Sequence, residues 1–271
     1  MNILIVGGSG FIGHHLTKRI HDLKYNYLST YRTKKPSKLN FFKLNLNKFE
    51  SKRNIISRFK PNVVLYLVWN DIPNYSKKNS EHNLYISKKF VDFISSLDSL
   101  KRIIISGSCF EKKKDVNVKF FVKSKLELKN YIHKKFKNKK IKQIWVRIFY
   151  VYGKGQRKLS LIPTLIRKLK KGINPEIKNL NSSNDFIYIK DVVDFFIKCI
   201  KLKTSKNILE CGCGKLYSVS EVCLITEKLI LKKNKFFQIS DRKIKKKGIK
   251  ADTYNWFKPR YKLKRAIKEM L

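Results

Sequence analysis

The stretch Val6-Gly-Gly-Ser-Gly-Phe-Ile-Gly13 constrains the fold most, because it follows an apolar run at residues 2–6 and opens an amphipathic one at 11–23. A continuous apolar pentamer reads as a strand buried on both faces. Behind the glycines, Ile12, Leu16 and Ile20 recur on one face of a helix. Glycines at such a strand–turn–helix corner allow a tight turn and let a phosphate approach the backbone, while the helix N-terminus offers free N–H groups and a positive dipole. Two registers fit, Gly8-x-Gly10-x-x-Gly13 and Gly7-x-x-Gly10-x-x-Gly13. The spacing predicts a dinucleotide-binding loop; a glycine turn kept for packing is the plainer alternative.

Further along, β-rich runs alternate with amphipathic helical ones. Strands are expected at 25–31, 41–46, 63–69, 102–106 and 143–149, and helices at 50–59, 80–97 and 122–136. That alternation predicts an α/β fold, a Rossmann-type doubly wound parallel sheet over residues 1–152. After Gly153 the rhythm changes. A helix at 159–171, a polar basic loop at 172–184, a short strand at 185–189 and a helix capped by Asp191 follow. Next come a strand at 207–210, a Ser218-Val-Ser-Glu221 capping box opening a helix to 231, and a last helix at 263–271. The expectation is a smaller, interwoven C-terminal lobe over 153–271, with 207–231 returning to the core.

The 271 residues carry 63 Lys and Arg against 19 Asp and Glu, a formal charge of +44. The basic residues form scattered runs, at 112–114, 137–142, 167–171 and 242–250, rather than one footprint. With so much Lys, Asn, Ile, Phe and Tyr, all available from A/T-dominated codons, solvated surface is the favoured account, and no nucleic-acid recognition motif accompanies the charge. No apolar run approaches the ~20 residues of a membrane span. Residues 1–6 lack a basic leader. The five cysteines, Cys109, Cys199, Cys211, Cys213 and Cys223, lack paired Cys-x-x-Cys spacing, and no His cluster joins them. They read as reduced thiols of a cytoplasmic protein, with no metal site.

The residues closing the second strand bear on the cofactor. Ser29-Thr-Tyr-Arg-Thr-Lys-Lys35 contains no acid to take ribose hydroxyls, as an NAD site would. Arg32 can instead fork onto a 2′-phosphate, with Lys34 or Lys35 adding charge. NADP is the expected cofactor, NAD the alternative; one more surface cation is the plainer reading of Arg32.

Motifs in order along nearly the whole chain resemble the extended short-chain dehydrogenase/reductases of the nucleotide-sugar epimerase/dehydratase group. Gly7, Gly10 and Gly13 match the glycine loop, and Asn62-Val-Val-Leu-Tyr-Leu-Val68 resembles the fourth strand. Asn83 falls where the family has an Asn in the next helix, and Ile105-Ser-Gly-Ser-Cys109 resembles the strand delivering a catalytic Ser or Thr. Arg147-Ile-Phe-Tyr-Val-Tyr-Gly153, Asn184-Asp-Phe-Ile-Tyr-Ile-Lys-Asp191, Cys211-Gly-Cys-Gly214, Ala251-Asp-Thr253 and Lys258-Pro259 are similar to later family motifs. The resemblance implies cofactor contacts at Gly7, Gly10, Phe11, Ile12, Gly13, Arg32, Leu67, Lys125 and Tyr150. It also implies a nucleotide-sugar substrate, and a homodimer through helices near 122–136 and 80–97.

The family's chemistry uses a Tyr-x-x-x-Lys pair. The Tyr moves a proton at a sugar hydroxyl, the Lys lowers its pKa and holds ribose, and a Ser or Thr orients the substrate oxygen. By resemblance Ser108 takes the hydroxyl role and Lys125 the Lys role, but the Tyr position is Phe121. Tyr131-Ile-His-Lys-Lys135 offers a second literal match, which would leave its helix almost no length before the next strand; ordinary helix surface is the better reading. Two functional readings stay open: an NAD(P)-dependent epimerase, dehydratase or reductase of a nucleotide-activated sugar, with Tyr150 or Tyr75 as substitute hydroxyls, or a degenerate member that binds without turnover. Basic residues at 153–157 and 167–178 are candidates to meet substrate phosphates. Cys109 after Ser108 favours epimerase or reductase over dehydratase chemistry.

Overall fold

A computed structural model describes residues 1–35, 39–113, 115–237 and 246–271. Parts of the basic runs at 112–114 and 242–250 lie outside the described residues. In chain order the elements are β1 (Asn2–Val6), α1 (Phe11–Asp22), β2 (Asn26–Tyr31), β3 (Phe41–Lys43), α2 (Arg53–Phe59), β4 (Val63–Tyr66), α3 (Lys77–Ser95), β5 (Arg102–Ser108), α4 (Lys119–Phe136) and β6 (Lys142–Ile148). They continue with β7 (Tyr150–Tyr152), α5 (Leu161–Lys170), β8 (Ser183–Asn184), β9 (Phe186–Tyr188), α6 (Ile189–Lys201), β10 (Ile208–Cys211), β11 (Tyr217–Ser218), α7 (Val219–Leu231) and α8 (Leu263–Lys268).

Seven strands form one sheet in the order β10-β6-β5-β4-β1-β2-β3. Every pairing from β3 through β6 is parallel, so the order reverses between β1 and β4 and opens a crevice at their carboxyl ends. Ile3, Leu4, Ile5 and Val6 of β1 are wholly buried, as a strand covered on both faces requires. Helix α1 turns Gly13, Leu16, Thr17 and Ile20 inward, and α4 turns Phe121, Ser124, Lys125, Leu128, Ile132 and Phe136 inward. These are the spacings of one helical face.

Two compact units result. The first comprises Met1–Ile148 and Val193–Leu209; the second comprises Phe149–Val192 and Glu210–Leu271. Of the expected return segment, β10 joins the large sheet, whereas α7 packs on α5 and α8 in the second unit. Within that unit β7 pairs with β9 in parallel and β8 with β11 antiparallel.

Several expected boundaries move for local reasons. β3 stops at Lys43, because Asn45 accepts the Asn47 N–H at 3.1 Å and starts a 3₁₀ turn over Leu46–Lys52. β4 ends at Tyr66, so Leu67 to Trp69 lie beyond the sheet. The capping box at Ser218 and Glu221 forms, with bonds of 2.7 and 3.1 Å. Asp191 is not the cap expected of it. It lies inside the first turn of α6, and its carboxylate accepts the Arg260 and Tyr261 N–H groups at 2.8 and 3.2 Å. All five cysteines are free thiols. Among the described residues no helix is long and apolar enough to cross a membrane, and no group of His, Cys, Asp and Glu could hold a metal ion.

Candidate functional site

The glycine loop sits at the carboxyl end of β1. Gly7 has φ +91°, and a Cβ there would lie 2.9 Å from the Val68 side chain. A Cβ on Gly13 would lie 2.1 Å from the Gly7 carbonyl oxygen, so the helix can cross the loop this closely only with glycine. Gly10 is the N-cap residue of α1 and carries no side chain to occupy the first-turn N–H groups, and no acid stands in that turn. The loop is pinned from β2: Thr30 accepts the Gly7 N–H on its hydroxyl at 2.9 Å and the Ser9 N–H on its carbonyl at 3.1 Å. Phe11 and Ile12 open α1 and are half-buried.

Arg32 is the first residue beyond β2, with its side chain half exposed. Its Nη2 lies 3.3 Å from Asp71 Oδ1 in a surface ion pair. Asp71 gave no signal in the sequence, because an acid 39 positions away meets Arg32 only through the parallel sheet.

Beyond β4 the chain is held at both ends. The Leu67 N–H donates to the Val6 carbonyl at 2.9 Å, and the Asn70 N–H donates to the buried Asn83 side chain at 2.6 Å. Asn83 also donates to the Asn79 carbonyl at 2.8 Å. Asn83 therefore fixes the β4–α3 loop from within α3, carrying Trp69 and Tyr75 into an aromatic cluster. The Trp69 ring meets Phe121 edge-on at 5.4 Å between centroids, Tyr75 lies 5.0 Å from Phe121, and Phe110 lies 6.4 Å from it. Phe121 is 3% exposed.

One helical turn beyond Phe121, Lys125 is buried. Its Nζ donates to the Ser106 carbonyl at 2.8 Å and stands 4.2 Å from the centre of the Trp69 ring. Burial pushes its amine down to about 7, with the Glu111 charge pulling upward. The carbonyl and the ring face both favour the ammonium form.

Ser108 ends β5 and is partly exposed. Its Oγ accepts the Phe110 N–H at 3.2 Å, and its own N–H donates to Glu111 Oε1 at 2.8 Å. Glu111 also accepts from Trp145 Nε1 at 2.9 and 3.1 Å and from Arg147 Nε at 3.0 Å, with its side chain fully buried. Sequence reasoning missed Glu111, although Ser108-Cys-Phe-Glu111 has capping-box spacing and could have flagged it.

Gly7 to Gly13, Leu67, Ser108, Phe121 and Lys125 thus belong to one unit. Tyr150 lies in the other, on β7, its ring 5.8 Å from that of Phe186. Tyr131 and Lys135 stand on the surface of α4, as expected, and there they tie it to α3. Tyr131 donates to Asp92 at 2.6 Å and Lys135 pairs with the same carboxylate at 2.7 Å; burial and Asp92 push the Tyr131 phenol up to about 12.

Comparison with known proteins bears on the fold and the family. The chain is similar to the dTDP-4-dehydro-6-deoxyglucose reductase of Escherichia coli, at 26% identity over 252 residues, covering 81% of this chain and 79% of that one. It superposes on the UDP-glucose 4-epimerase of Thermotoga maritima with UDP-glucose at a TM-score of 0.84, with 18% identity and coverage of 100% and 97%. A tyrosine-to-phenylalanine variant of the UDP-glucuronic acid 4-epimerase of Bacillus cereus, in complex with UDP-4-deoxy-4-fluoro-glucuronic acid and NAD, matches at a TM-score of 0.79, with 18% identity and coverage of 100% and 98%. A family model described as NAD dependent epimerase/dehydratase matches residues 3–212. With three-quarters of its length inside that match, the chain belongs to the NAD-dependent epimerase/dehydratase family.

Proposed function

We propose that the protein is an NAD(P)-dependent epimerase, dehydratase or reductase acting on a nucleotide-activated sugar, with NADP as its cofactor. The observation that carries this is the glycine loop at the β1–β4 switch point, with Ser108 at the end of β5 and Lys125 on α4 of the same unit. The residues present fit a dinucleotide. A Cβ on Gly10 would meet a single neighbouring atom within 4 Å, the Gly7 carbonyl oxygen at 3.3 Å, whereas one on Gly7, Gly8 or Gly13 would be crowded by several. The Gly10–Gly13 backbone would hold the diphosphate through first-turn N–H groups. Arg32 would hold a 2′-phosphate.

When bound, the nicotinamide supplies or accepts hydride at a sugar carbon. The chain's own part is to orient and to exclude water. The Ser108 hydroxyl holds the reacting oxygen, and Glu111 sets its position by fixing the turn that carries it. The Lys125 ammonium supplies positive charge against the Ser106 strand end. Phe121 has no proton to give, which predicts slow turnover, since a missing general acid or base costs ~10²–10⁴ in rate.

One observation favours the second reading, binding without turnover: Phe121 is buried among Trp69, Tyr75 and Phe110 as a packed core aromatic. The tyrosine-to-phenylalanine variant of the Bacillus cereus enzyme, in complex with both a sugar nucleotide and NAD, is compatible with that reading.

The deciding experiment is a binding titration with NADPH and NADH at two salt concentrations, followed by turnover assays with UDP-glucose and a dTDP-4-dehydro-6-deoxy sugar. NADPH-selective binding that survives salt, with slow hydride transfer, is the expected result. Binding with no transfer establishes the second reading. Failure to bind either cofactor overturns the enzyme reading, and failure to bind the sugar nucleotides as well overturns both.

A further inference from the structure

We propose that the Trp69 indole N–H is the hydrogen-bond donor that holds a sugar oxygen of the bound ligand, beside the position where Phe121 leaves no hydroxyl. This deepens the reading above and rests on it.

Trp69 is 8% exposed, and among the described residues nothing accepts a hydrogen bond from its Nε1. A buried donor without an acceptor is rare and calls for a specific explanation. Here it is neither on a frayed segment nor in a loose corner. The backbone on its two sides is fixed, by Leu67 N–H on Val6 and by Asn70 N–H on Asn83. The ring itself is clamped between the edge contact with Phe121 at 5.4 Å and the Lys125 ammonium at 4.2 Å. The indole therefore cannot turn its N–H to solvent without breaking both contacts. The other indole of the same unit, Trp145, shows the ordinary solution, since its N–H donates to Glu111.

A phenol at position 121 would do two things for a sugar oxygen: donate a hydrogen bond and exchange a proton. An indole N–H does only the first, being a donor with no acceptor capacity and far too weak an acid to give up its proton. Trp69 thus supplies the holding without the proton transfer. Two oxygens share the required chemistry, a ribose oxygen of the dinucleotide and a hexose oxygen of the sugar nucleotide, and they are separable by experiment.

The test is a proton–nitrogen correlation spectrum of the full chain, in which the 3 Trp residues give three indole resonances. Trp69 is assigned directly with Trp69→Phe, and by elimination with Trp145→Phe and Trp256→Phe if that variant fails to fold. Spectra are recorded with NADPH alone and with UDP-glucose alone, with affinities measured by calorimetry. The expected result is a downfield shift of the Trp69 indole proton with one of the two. Trp69→Phe, which keeps a ring over Lys125, then weakens that same ligand about 3- to 10-fold, the worth of one neutral hydrogen bond, and leaves the other within about twofold. Binding with an unmoved resonance, or a shift without loss of affinity in Trp69→Phe, overturns this inference and leaves the proposed function standing. Failure of both ligands to bind overturns the proposed function as well.

Discussion

Lys125 Nζ is held between two acceptors of positive charge, the Ser106 carbonyl at 2.8 Å and the Trp69 ring centre at 4.2 Å, while being excluded from water. Burial wins and lowers its folded pKa to about 7 from 10.5. Between those values the unfolded chain binds more protons than the folded one, so this residue's contribution to stability rises with pH across that window. Below about 7 both states are protonated and the cost of burying the charge is present in full. Lys125→Met removes it. The variant is expected to be more stable than the parent in mildly acidic buffer, with the gap closing as pH is raised through the window. Denaturant midpoints across pH check this; a constant gap would show that Lys125 does not titrate there.

Restoring the phenol should restore chemistry. Phe121→Tyr is expected to raise hydride transfer by ~10²–10⁴, the usual worth of a positioned general acid or base. The added hydroxyl must find room among Trp69, Tyr75 and Phe110, and an unpaired one would cost about 1–3 kcal/mol. Lys125, 5.8 Å from the Phe121 ring centre, is the expected charged neighbour. The check is nicotinamide absorbance with UDP-glucose and a dTDP-4-dehydro-6-deoxy sugar. A folded variant with an unchanged rate would count against a preserved active site.

Glu111 gathers the N–H groups of Ser108, Trp145 and Arg147 on one fully buried carboxylate. Removing one partner of a buried ion pair typically costs about 3–5 kcal/mol. Glu111→Ala is expected to fall in that range. Glu111→Gln keeps one acceptor oxygen and should cost less, about 1–3 kcal/mol. Urea unfolding of the three proteins measures both, and an equal, small loss in the two variants would mean that the cluster is not the latch on Ser108 described above.

The residues that set this site were legible to different degrees, for physical reasons. The strand–loop–helix at residues 2–22 was readable because burial on both faces, glycine sterics and helical periodicity are local properties. The parallel order followed, since alternating strands and helices allow few arrangements. The Ser218–Glu221 box was readable from its spacing alone; Asp191 looked like another cap but serves as an acceptor for a distant backbone segment at Arg260 and Tyr261. Asp185 behaves likewise, accepting the Cys213, Gly214 and Ala251 N–H groups at 2.7, 2.8 and 2.9 Å, and burial raises its pKa. Trp69 and Asp71 escaped notice, and Tyr75 was read as a substitute hydroxyl rather than as a ring packed on Phe121. A loop's sequence carries no period, and what these side chains meet is decided by helices and strands far away in the chain.

The Arg32–Asp71 pair sets the last expectation. With side chains 48% and 59% exposed, it is worth about 1 kcal/mol or less. A 2′-phosphate offers Arg32 stronger, charge-assisted bonds of about 1.5–3 kcal/mol, so the dinucleotide should displace Asp71. Arg32→Ala is therefore expected to weaken NADPH about 10- to 100-fold while leaving NADH nearly unchanged. Asp71→Ala removes the competitor and should strengthen NADPH by up to about fivefold. Titrations of the three proteins with both cofactors decide the matter. Equal losses for NADPH and NADH in Arg32→Ala would mean that this arginine acts on general charge, and the preference for NADP would fall with it.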